Sequence, residues 1–487
     1  MKFCLLCLSG LIALTLSASA TAAALHHYTV QVDSTLEHLK VSACFDGNAP
    51  QRLIADDTAS LYLDQMRLRN PDKGSLTVSG WEAALSDVPA NACVDYEVQL
   101  RPETTGAQQG GPQTRRVGRD LLTSIGDWFW RPATMPADTD IEIRFDLPAG
   151  VSVSAPWKTA GDSAHVFRVG STPRKWPGVV AFGGFTPIEI DVPGARLQLI
   201  MIDSPLPALR DSLRRWIERA ALAVTTIYGV FPVPELQVII APTSRGSKPV
   251  PWAYVSRGGG SAVHLFIRPH HKQSEFMRDW TVVHEMSHLF LPYLEWGDAW
   301  LVEGLPTYFQ NVAMARGGLI SPEEAWRRMY AGFESAKEVG SKYTVLEAAR
   351  RIGRRGLYRR VYWGGAAYML AADLRLRELS NGRPVFADTL AEIRRCCLDE
   401  NYRWRAEELV AKLDALSGSN VFSELIAEQL ESRPFPDYDA MYEKLGIQML
   451  GGHPIFVDGP AAQYRNAIMA PRQAFHHRDT EGTEKSE

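Results

Sequence analysis

The sequence predicts a multidomain α+β protein in three successive parts: a β-sandwich or saddle over 25–202, a mixed α+β unit over 203–320, and an α-helical region over 321–450. Three observations predict it. Short runs of alternating apolar and polar residues, broken by Gly, Pro, Asn and Asp, continue as far as Met201. The composition then changes at Ser204, after which a long amphipathic helix, buried strands and two apolar helices follow one another. Beyond Gly318 nearly every segment repeats with helical spacing. With 487 residues, 45% hydrophobic and 22% charged, the chain has the length and composition of an ordinary multidomain globular protein. A net charge of -4 supplies neither the basic excess that nucleic acid attracts nor a long acidic tail, so no nucleic-acid partner is expected.

The chain opens with Met1-Lys2, an apolar stretch, and then Ala, Ser and Thr up to Leu25. That order is a secretory signal peptide, 1–24, with cleavage after Ala20, Ala22 or Ala24; it implies export to a periplasm or the exterior. Left uncleaved, the run is nearly long enough to anchor the chain in a bilayer. Once it is removed, no stable membrane insertion is expected. Cys4 and Cys7 lie within it, wrongly flanked for lipid attachment. Cys44 and Cys93 sit in strand-like segments and are candidates for a disulfide in an oxidising compartment. Cys396 and Cys397 are neighbours; a bridge between neighbours is strained, so they read as helix core or free thiols.

The β-rich part rests on runs at 39–44, 93–100, 141–147, 164–169, 188–192 and 196–201, with a Gly/Gln-rich loop at 106–112. The cluster Trp128-Phe129-Trp130-Arg131-Pro132 reads as packing. In the middle part, residues 205–228 carry Leu206, Leu209, Leu213, Trp216, Ala220 and Ala223 at helical spacing, and Arg210, Arg214, Arg215 and Glu218 opposite. Strands at 236–241 and 263–268 follow, the second preceded by residues 252–257 and Gly258-Gly259-Gly260-Ser261.

The chemistry lies in what comes next, Val283-His284-Glu285-Met286-Ser287-His288-Leu289 and then Trp300-Leu301-Val302-Glu303-Gly304. Residues four apart share a helix face, so His284 and His288 can offer two imidazole nitrogens to one zinc ion with Glu285 beside it. Reactive zinc sites keep three protein ligands and one open position. A helix over 280–291, stopped by Pro292, and a second helix capped by Asp298 bring Glu303 back as third ligand, with Asp298 and Glu295 as weaker candidates. Pro306 removes a backbone donor three residues later and predicts a kink. A buried helix with two satisfied histidines is the bland alternative; the W-L-x-E-G sequence at helical distance argues against it.

In the last part, Ser321-Pro322-Glu323-Glu324 is a cap, a first-turn proline and an acidic pair, opening a helix toward Glu338. Helices at 366–379, 385–395, 406–416 and 421–429 continue the series. The Arg-rich run 350–360 reads as a solvated face, and 451–487 as a partly disordered tail.

These residues together resemble the gluzincin metallopeptidases, most closely metallopeptidase family 61 of the glycyl aminopeptidase type and more widely the aminopeptidase N family. The resemblance rests on the two motifs above and on Val361-Tyr362-Trp363-Gly364-Gly365 running into Leu370–Arg377, and covers most of 28–416. It implies a thermolysin-like catalytic unit, one Zn2+ held by His284, His288 and Glu303, Glu285 as general base, Tyr362 as oxyanion stabiliser, and a peptide or protein substrate. The residue types suit that chemistry: zinc lowers the pKa of a water toward about 7, a carboxylate takes the proton, and a phenol donates to an oxyanion without ionising. Tyr358 and Tyr368 are rival donors. In the wider family a glycine-containing strand carries a Glu that grips the substrate's amino terminus; here Gly260 stands in its place. The backbone of Gly258, Gly259, Gly260 and Ser261 can still pair with an extended peptide, so peptide binding is expected without a source of exopeptidase selectivity. The region after Pro434 is too short for the PDZ domain of family 61. Two other readings share these residues, a peptide- or envelope-binding protein without turnover and a zinc hydrolase of a non-peptide amide or epoxide.

Overall fold

A computed structural model describes residues 24–102, 114–136, 139–161, 163–170, 178–203, 207–294, 296–353, 356–398, 402–458 and 462–470. The expected signal segment, the 106–112 loop, Glu295 and residues 471–487 lie outside them. Among the described residues the architecture is multidomain α+β, with β-sheets first, a mixed α+β unit next and helices last.

The alternation in the first part has a direct structural result. In the paired strands Leu25–Val32, His38–Cys44 and Cys93–Gln99, one residue in two points inward, so that Val30 faces Val41 and Val41 faces Tyr96 across a seven-stranded sheet. Two four-stranded sheets pack with it around one core that includes Trp128, Phe129 and Trp130. The aromatic cluster is therefore packing. Cys44 and Cys93 are directly opposed in the register and form a disulfide.

A separate five-stranded sheet underlies the middle part, in the order Ile188–Val192, Ala195–Met201, Glu235–Pro242, Ala262–Ile267, Trp252–Ser256. Its three central strands are parallel, buried and rich in Val, Ile and Leu, as parallel strands covered on both faces must be. Two strands read as the end of the β domain belong to this sheet, because Ala195–Met201 pairs in parallel with Glu235–Pro242 across the Pro207–Thr225 helix. Trp252–Ser256 is antiparallel and, among the described residues, forms the edge of the sheet.

The helical part differs from expectation in four places. The helix expected from 366 begins at Tyr358, since Gly364 and Gly365 are contact points within a helix instead of breakers. Cys396 and Cys397 are bridged. The Val385–Cys396 helix ends at Cys396, and Cys397 leaves helical geometry (φ -138°, ψ 6°), which a reading of both as helix core did not allow for. Arg360 is fully buried, donating to the carbonyls of Lys337 and Arg433, so the Arg-rich run is not wholly a solvated face. The boundary expected at 450 falls inside a hairpin, Ile447–Leu450 with His453–Phe456, and a helix, Ala462–Met469, follows it.

Candidate metal centre

The apolar helix containing the two histidines runs Thr281–Ser287 and tightens into a 3-10 turn over His288–Phe290 before Leu291 becomes extended. Three carbonyls at this end, those of His288, Leu291 and Pro292, accept from Arg257 Nη1 at 2.9, 2.7 and 3.3 Å. A guanidinium at a helix C-terminus satisfies orphan acceptors and meets the negative end of the helix dipole. It also fixes where His288 stands.

The second helix, Ala299–Arg316, is buried along most of its length and continues through Pro306. Asp298 precedes it without capping it; its carboxylate accepts instead from the Ala406 N–H at 2.7 Å, so it is neither cap nor ligand. Glycine sets how close the next helix, Tyr358–Leu379, can come. A Cβ on Gly304 would lie 2.5 Å from Gly365 Cα, and one on Gly365 only 2.1 Å from the Trp300 carbonyl oxygen. Only two bare backbones can pass at that distance. Glu303 precedes one glycine and Tyr362 lies one turn before the other, so the close pass brings carboxylate and phenol together: Tyr362 donates a hydrogen bond to Glu303.

The result is a buried cluster. One ligand atom from each of His284, His288 and Glu303 lies within 4.8 Å of the others. Glu303 Oε2 is 3.4 Å from His284 Nε2 and 3.6 Å from His288 Nε2, and Glu285 Oε2 is 3.9 Å from His288 Nε2. A tetrahedral zinc with ligands at about 2.0–2.2 Å would space them about 3.3–3.6 Å apart, and the Glu303 oxygen stands at that separation from each imidazole nitrogen. His284 Nδ1 is held by Gln310 Oε1 at 2.8 Å, which directs Nε2 toward the Glu303 carboxylate at 3.4 Å. That arrangement suits a cation between them. The imidazole of His284 also stacks parallel to the Tyr362 ring, 6.0 Å away.

Burial pushes the Glu285 carboxyl up to about 7, helped by the Glu303 charge and opposed by His284 and a Val255 N–H. Burial acts on Glu303 too, but His288, His284 and Tyr362 outweigh it and hold its pKa below the usual carboxylate value. Two neighbouring carboxylates therefore differ: one stays ionised and one titrates near neutrality. His288 is driven down to about 3 by burial, which leaves it neutral and able to ligate. Against burial, Glu303 and Glu285 raise His284. Tyr362 is raised by burial and by both carboxylates, so it keeps its proton.

The glycines do not form an extended strand. Gly258, Gly259 and Gly260 have φ of 92°, 89° and 119°, a turn that extended pairing with a peptide excludes, and a Cβ at Gly260 would sit 1.9 Å from the Pro156 carbonyl oxygen. Ser261 is buried. The backbone of this hairpin that reaches the cluster is Val255, on that edge of the sheet. Of the rival tyrosines, Tyr368 is engaged with the Phe422 carbonyl at 2.8 Å, and Tyr358 is half exposed beside Tyr362. Two residues escaped the sequence reading. Gln310 lies seven positions after Glu303 and so on the same helix face, a spacing that could have found it; Arg257 had no such signal.

No protein-family model matches the sequence, and no curated protein matches it. Solved structures do. An aminopeptidase N family protein from Idiomarina loihiensis aligns with a TM-score of 0.64 at 14% identity, over 87% of this chain and 78% of that one. An M1 zinc metallopeptidase from Deinococcus radiodurans aligns at 0.52 and 14%, over 85% and 94%. The fold is that of the aminopeptidase N group. At these identities the likeness concerns the fold alone.

Proposed function

We propose that the chain is an exported zinc peptidase that hydrolyses peptide bonds, with His284, His288 and Glu303 holding one Zn2+. The observation that carries the reading is the buried cluster of His284, His288 and Glu303, whose ligand atoms lie within 4.8 Å of one another, with a second carboxylate, Glu285, beside it and outside the ligand set. A binding protein has no use for that second carboxylate, whose burial costs stability. When bound, zinc supplies a Lewis acid that makes a water nucleophilic near neutral pH and covers part of the oxyanion.

Glu285 is the general base. With a pKa near 7 it can take a proton from the attacking water and return it to the leaving amine, the match of acidity to task that proton transfer favours. Tyr362, still protonated, donates to the oxyanion. The substrate lies extended along the Trp252–Ser256 edge, whose Val255 N–H already points at Glu285. A solved M1 neighbour from Deinococcus radiodurans, with a TM-score of 0.50, is bound to a Tyr-Ser-Ala substrate, which agrees with a peptide ligand. That strand carries no acidic residue, and Gly260 has no room for a side chain, so this hairpin offers no fixed anion for a free amino terminus. The narrower resemblance to family 61 rests on His284–His288, Trp300–Gly304 and Val361–Gly365 running into Leu370–Arg377. Export by segment 1–24 is supported by two disulfides, which persist in oxidising compartments.

Digestion of a mixed peptide library by the zinc-loaded protein, with cut positions read by mass spectrometry, tests the reading. Cutting that disappears in Glu285→Gln while zinc is retained is the expected result. A library left intact by fully loaded protein overturns the peptidase assignment, and the cut positions decide between internal and terminal cleavage.

A further inference from the structure

A metal-binding imidazole is steered from its far nitrogen, which fixes the tautomer and the direction of the lone pair. His284 Nδ1 lies 2.8 Å from Gln310 Oε1, and both side chains are buried. An amide oxygen can only accept, so Nδ1 carries the proton and Nε2 is free to ligate. Gln310 stands two turns after Glu303 on the Ala299–Arg316 helix. One helix thus supplies the third ligand and the partner of the first.

His288 is treated differently. Its Nδ1 is buried without a hydrogen bond of full geometry, and the ring lies against the backbone carbonyl of Val302. In an unbroken helix that carbonyl would accept from the N–H four residues on, at position 306. Position 306 is proline, which has no N–H, and the helix nevertheless continues to Arg316. The proline therefore does not end the helix; it removes the usual i+4 donor to the Val302 carbonyl, next to Glu303.

We propose that Gln310 and Pro306 are positioning residues for the two zinc histidines, Gln310 by holding His284 directly and Pro306 by releasing the Val302 carbonyl to His288. The proposal rests on the zinc reading above. It explains why a helix-breaking residue and a buried amide occur on the helix that also provides Glu303.

The test is the zinc dissociation constant, measured by chelator competition at pH 7.5, together with the urea stability of the zinc-free protein. Gln310→Met keeps the volume and removes the acceptor; the constant should rise about 10- to 100-fold. Gln310→Glu, which restores an acceptor oxygen, should return it to within about threefold of the parent. Should Gln310→Met fail to fold, Gln310→Asn, whose amide falls one methylene short, takes its place with the same expectation. Pro306→Ala restores the helical N–H, so the zinc-free protein should be as stable as the parent or more so, while zinc binding weakens about 10-fold. A purely structural role predicts that stability and affinity move together. Parent-like zinc binding in Gln310→Met, or in Pro306→Ala, overturns that residue's assignment. If the parent itself binds no zinc, the zinc reading has failed.

Discussion

Replacing Glu285 by Gln should make the zinc-free protein more stable while destroying its turnover, and the size of the gain follows from the site. Below pH 4.5 the carboxyl is neutral in both the folded and the unfolded chain. Between 4.5 and about 7 the unfolded chain ionises while the buried group stays neutral, so stability falls as pH rises; above about 7 both forms are charged and the loss is complete. A gap of about 2.5 pH units, at about 1.4 kcal/mol each, amounts to about 3 kcal/mol. Glutamine carries no charge and keeps an oxygen for the Val255 N–H, so the variant avoids the whole cost. Urea unfolding of the two zinc-free proteins should therefore separate them by about 3 kcal/mol at pH 8 and by about 1 kcal/mol at pH 5. A variant no more stable than the parent at pH 8, or one whose advantage is the same at both pH values, would refute the assignment of a desolvated, ionisable base.

Tyr362→Phe should lower kcat about 10²- to 10³-fold with zinc content unchanged and KM within about threefold, because the lost donor acts on charge that develops only during reaction. Gly365→Ala should cost about 1–3 kcal/mol in urea stability and lower kcat at least about 10-fold, since its Cβ would meet the Trp300 carbonyl at 2.1 Å and force Tyr362 away from Glu303. Gly260→Ala, at φ 119° and against Pro156, should be destabilised by about 1–3 kcal/mol or more in the same assay. Cys93→Ser opens a bridge across 49 residues and should cost about 4 kcal/mol, measured by urea unfolding without reductant.

The metal cluster was legible because its members are local in sequence. A four-residue interval fixes two side chains on one helix face whatever surrounds them, and a stop and a second apolar helix within twenty residues leave Glu303 little choice of direction. Alternation likewise marked the inward faces of the first strands. What could not be read depends on contacts between distant segments. Gly304 and Gly365 look like breakers one at a time and become a close helix crossing only as a pair. The pairing of Ala195–Met201 with Glu235–Pro242 is set by a crossover helix. The glycines at 258–260 suggested bare backbone for a peptide; their positive φ values form a turn, and the strand before them lies last in the sheet order. Arg257 reads as one more surface cation until its three carbonyl partners, 31 to 35 residues away, come into place.

The central claim is that one divalent ion is held by two imidazoles and the Glu303 carboxylate, and elemental analysis of purified protein tests it most directly. The parent should carry one zinc per chain after dialysis, and Glu303→Ala should lose it while remaining folded by circular dichroism. A parent without zinc, or a Glu303→Ala protein that retains it in full, would contradict the account.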